Sequence, residues 1–508
     1  MMQLSRSKKA IINTICELSL QVVAAICGFI LPRLILSYFG STYNGITQSI
    51  TQFIGVIALM KSGIGSVTRA ALYKPLAKND YEGISEVANA TQSFMRRIAL
   101  VFLGGVVIFA ALYPFLVSED FEWFFTFTLV LILSISTFAQ YFFGLTYQMV
   151  LQADQRNYVI SSVEILSTLA NTLISAALIV AGGGIHVVKL GSAAVFILPP
   201  LFYSYYVRKK YQIDPKVQSK VDLISQRWSA FGHQLANFIN LNTDVLIVTI
   251  TLGVKEVSVY TIYYMIINAI KKFVNALSTG TTAAFGNMIA KNEKQTLKIR
   301  FNQMELIIFL VSTVLFTVAG IMFLPFISIY TRGVTDANYI RPIFAILISL
   351  SGFLMCVKML YDHIIFAAGH FKRTSMVAYT EAALNIILSV TFALVFGLPG
   401  VIIGTIIATF YRMIRYHFYI SENIVKRSKW SLFYKFVFSL VTCVLCVTAS
   451  ALFPISEISS YFMWGIWAII TTALVTIIAV AVAMLLFPND LHSIAGILIN
   501  TFWRKRKK

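Results

Sequence analysis

Charge is scarce in this chain. Only 12% of its 508 residues are Asp, Glu, Lys or Arg, against about 25% in soluble domains. Apolar residues fill the gap, at 58%, with 14% aromatic. That composition excludes a soluble globular protein and points to a polytopic membrane protein. Cysteine is also rare. The five (Cys16, Cys27, Cys356, Cys443 and Cys446) all fall in apolar runs, which excludes a disulfide framework or a thiolate metal site. The six histidines lack metal-ligand spacing. No P-loop is present, and no outer loop is long enough to hold a soluble catalytic site. The expectation is therefore no enzyme, no metal and no cofactor. Acids are outnumbered 21 to 41 by Lys and Arg, giving a net charge of +20. Basic loops on one membrane face explain that excess without nucleic acid.

A membrane helix needs about 20 apolar residues, and about fourteen runs qualify. They lie near 11–38, 45–68, 96–117, 123–150, 158–181, 186–207, 231–252, 257–279, 303–330, 342–367, 374–396, 399–420, 432–453 and 463–487. The first is too long for a signal-peptide core and no small-residue cleavage site follows it, so it reads as span 1. Pro199-Pro200 predict a kink in span 6.

The loops alternate in charge. Basic clusters occur before span 1 (Arg6, Lys8, Lys9), in loop 2–3 (Arg69, Lys74, Lys78), in loop 6–7 (Arg208, Lys209, Lys210), in loop 8–9 (Lys291, Lys294), in loop 12–13 (Lys426, Arg427, Lys429, Lys435) and at the end (Arg504 to Lys508). Loops 1–2 and 11–12 carry no charge, and loop 3–4 is acidic with Glu119, Asp120 and Glu122. Basic loops face the cytoplasm, so both termini are expected there, in a plasma-membrane protein. Ile213, Val217, Val221, Ile224 and Trp228 form an apolar stripe with Lys216, Lys220 and Arg227 off it. That predicts an amphipathic helix on the inner surface, as does the basic tail from Leu491.

Shifting the chain by 213 residues places Gly40 on Gly253 and matches "AALYKPLAKND" to "AAFGNMIAKNE". Span 2 then falls on span 8. The expected organisation is an N-lobe (1–210), a linker helix (211–230), a C-lobe (231–425) and two further spans with the tail (426–508). Six spans per lobe make the repeats parallel, an arrangement found in transporters with a central site.

Ionisable residues inside spans are functional candidates by default. The cations are Arg33, Lys61, Lys271, Lys272 and Lys358; the acids are Glu17, Glu164, Asp244, Asp362 and Glu381. Lys358 and Asp362 are four apart and predict a pair on one helix. Arg33 and Lys61 each have a competing role as charges that snorkel to an interface. Lys61 and Lys271 have no acid one turn away, and the repeat sets them one turn apart on equivalent helices. An unpaired lysine in low dielectric needs an anion or water to stay charged. Asp244, in "NLNTDVLI", sits in the most polar patch of any span.

The stretches "GSTYNGITQSITQFIGVIALMKSGIGSVTRAALYKPLAKND", "LQADQRNYV" and "NTDVLIVTITLGVKEVSVYTIYYMI" resemble the MOP flippase superfamily, and within it the Wzx-like polysaccharide transporters. The resemblance covers nearly the whole chain. It implies an alternating-access flippase that moves a polyprenyl-pyrophosphate-linked glycan to the outer leaflet for surface polysaccharide biosynthesis. Similar lipid II flippases use cations in spans 1, 2 and 8, matching Arg33, Lys61, and Lys271 or Lys272, with lysine here where spans 2 and 8 of those relatives have arginine. The candidate pyrophosphate ligands are those residues and, as a further cation inside a span, Lys358; Asp244, Glu17 and Glu381 are the candidates for cleft lining or for a coupling H+ or Na+. Membrane lipids are the other expected partner. The alternatives are a lipid II flippase, a MATE-like multidrug exporter and, from another class, a membrane-embedded enzyme built on Asp362-His363.

Overall fold

The computed structural model describes residues 6–61, 64–117, 120–217, 243–451, 458–494 and 496. Every described element is helical: α1 (Arg6–Phe39), α2 (Ser41–Ile57), α3 (Ile64–Lys78), α4 (Tyr81–Leu112), α5 (Trp123–Ala139), α6 (Leu145–Ala153), α7 (Asn157–Val180), α8 (Ile185–Lys210), α9 (Thr243–Leu252), α10 (Val254–Ala290), α11 (Lys294–Tyr330), α12 (Pro342–Ala367), α13 (Phe371–Phe396), α14 (Leu398–Asn423), α15 (Ser431–Ser450) and α16 (Tyr461–Leu486). This is an all-α polytopic membrane protein. Among the described residues, eleven helices are long and apolar enough to cross a membrane. They coincide with every expected span except 2, 7 and 8.

Those three differ for separate reasons. Span 2 is broken: α2 passes into a 3-10 turn, Ala58–Lys61, before α3 begins. Span 7 is described only from Thr243. Span 8 lies in α10, which is continuous, but Lys271, Lys272, Asn268 and Asn275 dilute its apolar character. Span 4 is also irregular, since a π turn, Gln140–Gly144, separates α5 from α6. By contrast α8 stays one continuous helix through both Pro199 and Pro200. Residues 211–217 form turns; the rest of the expected surface helix, and most of the tail, lie outside the described residues.

The chain forms two compact units, 1–258 and 259–508. In the first, Ile50, Ile54, Met95, Phe102, Leu129 and Tyr141 form the main core between α2, α4, α5 and the turn that follows α5. Contacts at its two ends check the loop alternation. At one end, Asp154 accepts from Lys9 Nζ (3.1 Å), Arg156 Nε (2.5 Å) and the Tyr211 hydroxyl (2.5 Å). Burial alone would raise the Asp154 pKa; those three hydrogen bonds outweigh it and hold the carboxyl below its ordinary value. Asn89 Nδ2 donates to the Asp214 carbonyl on the same side (2.8 Å). At the other end, Tyr43 packs on Phe121 and Phe125, and Phe125 on His186. The N-terminal segment and the loops after α3, α6 and α8 therefore share one face.

The second unit is sorted in the same way. Tyr263 donates to the Tyr339 carbonyl (2.7 Å), and Trp464 to that of Met322 (3.2 Å), towards one end. Towards the other, Gln303 Nε2 donates to Ser493 (2.7 Å) and Arg427 NH1 to Asn302 (2.8 Å).

Candidate functional site

In the first unit Arg33 follows Pro32 in α1 and is half-buried, whereas Glu17 is exposed. Glu17 accepts from Gln21 Nε2 (3.1 Å) and from Ser161 Oγ of α7 (3.0 Å). Glu164, also on α7, is half-buried. Lys61 ends the 3-10 turn, so the backbone leaves α geometry where the sequence places a cation. Asp244, half-buried, stands at the start of α9; its neighbours Asn240 and Asn242 lie outside the described residues.

The second unit brings together charges that are far apart in sequence. Lys358 of α12 donates to Glu381 Oε1 of α13 at 2.6 Å. Arg412 of α14 donates through NH1 to Glu381 Oε2 (2.6 Å) and through NH2 to Asp362 Oδ1 (2.5 Å). The expected Lys358–Asp362 pair is thus replaced by partners on neighbouring helices, because Arg412 offers a planar fork that reaches both acids.

A second network centres on Glu305 of α11, which has 0% exposure. Its carboxylate accepts from the Tyr361 hydroxyl (2.5 Å), from Arg427 NH2 (2.7 Å) and NH1, and from Lys435 Nζ. His417 Nε2 donates to the Lys429 carbonyl (3.0 Å), which leaves Nδ1 to accept from Arg427 NH2 (3.1 Å). Lys435, expected in a loop, sits inside α15.

Lys271 stands apart from these networks. It is 7% exposed, yet among the described residues it has no carboxylate within ion-pair distance. Its Nζ donates to the Tyr264 hydroxyl at 3.2 Å and lies 5.2 Å from that ring's centre. An ammonium has three donors, and a neutral phenol offsets little of its charge. Lys272, next to it, is exposed.

Sequence reasoning missed Arg412, Glu305 and the half-buried Lys189 of α8. The available signal was that all three fall inside expected spans.

Three solved structures share this architecture. A lipid II flippase, MurJ, in an inward closed conformation superposes with a TM-score of 0.69 at 16% identity, covering 93% of this chain and 99% of that one. An inward-facing multidrug resistance MATE transporter of the MOP superfamily gives 0.58 at 17% identity, covering 80% and 98%. A Vibrio cholerae MATE transporter gives 0.52 at 17%, covering 83% and 99%. The chain has the MOP-superfamily fold. The sequence profile of the MatE family agrees, matching residues 230–391. No curated protein sequence matches the chain. Within the MOP fold, Lys271 and Glu381 both fall in the MatE-matched segment.

Proposed function

We propose that this MOP-fold protein is a flippase for a polyprenyl-pyrophosphate-linked oligosaccharide, moving it from the inner to the outer leaflet by alternating access for surface polysaccharide synthesis. The observation that carries the reading is Lys271. Three other buried cations of its unit, Arg412, Arg427 and Lys435, and the half-buried Lys358 are each bonded to a carboxylate. A buried cation without such a partner is costly and is best explained by an anion that visits. A pyrophosphate fits that need.

We assign the anion to Lys271 in residues 231–425 together with its near-equivalent in the internal repeat, Lys61 in residues 1–210. Arg33 and Lys272 add charge, and Lys358, already bonded to Glu381, contributes less. The break before α3 supports a role for Lys61, because interrupted membrane helices carry substrate and ion sites in transporters. Asp244 and Glu17 remain the proposed sites for a coupling H+ or Na+. The protein acts in the plasma membrane with both termini in the cytoplasm.

A MATE-like exporter of cationic drugs needs accessible acids. In the second unit Glu305, Glu381 and Asp362 are instead bonded to arginine or lysine, which in that unit favours the anionic substrate. Replacing Lys271 with Ala is expected to lower surface-glycan export about tenfold or more, the worth of a charge-assisted hydrogen bond. Membrane abundance stays normal, and Lys271→Arg restores part of the activity. Normal export by the Lys271→Ala, Lys61→Ala double variant overturns the site. Drug sensitivity with intact glycan favours the exporter, and lysis from failed wall synthesis favours lipid II.

A further inference from the structure

Two helix irregularities in the first unit meet, and a hydrogen bond joins them. In span 2, the turn Ala58–Lys61 departs from α geometry. A 3-10 turn shifts the backbone bonding pattern, and the Ala58 carbonyl accepts from the Tyr141 hydroxyl at 2.5 Å. Tyr141 has 0% exposure and packs on Phe102, ring centres 5.3 Å apart.

Tyr141 belongs to the π turn of span 4. A π turn adds a residue to one helical turn, rotating the C-terminal part of the span by about 100° relative to a regular helix. Two neighbours brace it. Gln92 Nε2 of α4 donates to the Phe142 carbonyl at 2.6 Å, and Gly144 lies against α8, where an added Cβ would meet Pro200 Cβ at 2.7 Å. Gln92 is itself buried, and its Oε1 has no hydrogen-bond partner among the described residues. The amide is placed to hold the Phe142 carbonyl, even though its own oxygen goes unsatisfied.

We infer that Tyr141 is a positioning residue for Lys61: its hydroxyl fixes the 3-10 turn that ends in Lys61, and the π turn, held by Gln92 and Gly144, aims that hydroxyl. The inference deepens the proposed function and rests on Lys61 being one of its anion ligands.

The experiment is reductive methylation of the purified full-length protein, read lysine by lysine by mass spectrometry. Tyr141→Phe removes only the hydroxyl. The rate at Lys61 is expected to change about fivefold, the equivalent of one neutral hydrogen bond, while the rates at Lys291 and Lys294 stay within error and the melting temperature falls slightly, as loss of one buried hydrogen bond requires. Glycan export falls in parallel. An unchanged Lys61 rate in a folded Tyr141→Phe protein overturns the inference. Should that variant fail to fold, Gln92→Leu gives the same two readings: a changed Lys61 rate supports the inference and an unchanged one overturns it. The outcomes separate the two proposals. A changed rate with normal export by Lys61→Ala keeps the positioning role and removes the phosphate role.

Discussion

Glu305 and Lys271 are both buried charges in the second unit, and they predict opposite responses to neutralisation. Glu305 is surrounded by donors from Tyr361, Arg427 and Lys435. Glu305→Gln leaves two buried cations facing a neutral amide, which costs about 3–5 kcal/mol by analogy with other broken buried pairs. Among the described residues, Lys271 hydrogen-bonds to the Tyr264 phenol and to no carboxylate. Lys271→Met keeps its length, removes an unbalanced charge and is expected to raise stability while abolishing export, the trade seen where function requires strain. Thermal unfolding of both variants in detergent checks this. A loss of stability in Lys271→Met similar to that of Glu305→Gln would mean Lys271 is held by an acid and wants no anion.

At the scale of elements, the α13–α14 hairpin shows what close packing demands. Gly404 approaches α13 so nearly that an added Cβ would meet Ser389 N and Oγ, both at 2.5 Å. The approach brings Ser389 Oγ to the Val401 carbonyl (2.9 Å) and Asn385 to Thr405 (2.9 Å). Small residues permit such contact where the hydrophobic effect gives helices no reason to associate. Gly404→Val is expected to cost about 1–3 kcal/mol from overpacking, with a matching fall in melting temperature. Gly465→Ala, which has open space around it, serves as the tolerant control; equal losses at both glycines would refute the packing argument. Elements were also where the sequence was most and least informative. Long apolar runs announced eleven spans because lipid requires them whatever their neighbours. The breaks at Ala58–Lys61 and Gln140–Gly144 were not legible, since their backbone groups bond to Tyr141 and Gln92 from other helices. The partner of Lys358 was misread for the same reason: spacing on one helix says nothing of Glu381 or Arg412 across the gap. Lys61 and Lys271 were legible as candidates because a lysine in an apolar run is conspicuous by itself.

At the scale of the whole molecule, the charge asymmetry and the internal contacts bear on one question, which face loads the substrate. In the first unit the Asp154 cluster draws the N-terminal segment, the α6–α7 loop and the end of α8 to one face. In the second, Arg427, Lys435 and Gln303 gather the start of α11, the α14–α15 loop and Ser493. These are the segments rich in Lys and Arg, and by the positive-inside tendency each unit's basic end is proposed to face the cytoplasm. A pyrophosphate carried outward from that face also moves with an inside-negative potential, at about 2.3 kcal/mol per charge per 100 mV. Single reporter cysteines test the assignment. In intact cells a membrane-impermeant maleimide is expected to label position 183, between α7 and α8, and position 335, between α11 and α12. Positions 155 and 292 should label only after permeabilisation. The reverse pattern would put the basic loops outside, so that carrying an anion away from the basic face would run inward against the potential, and the proposed loading face would fall.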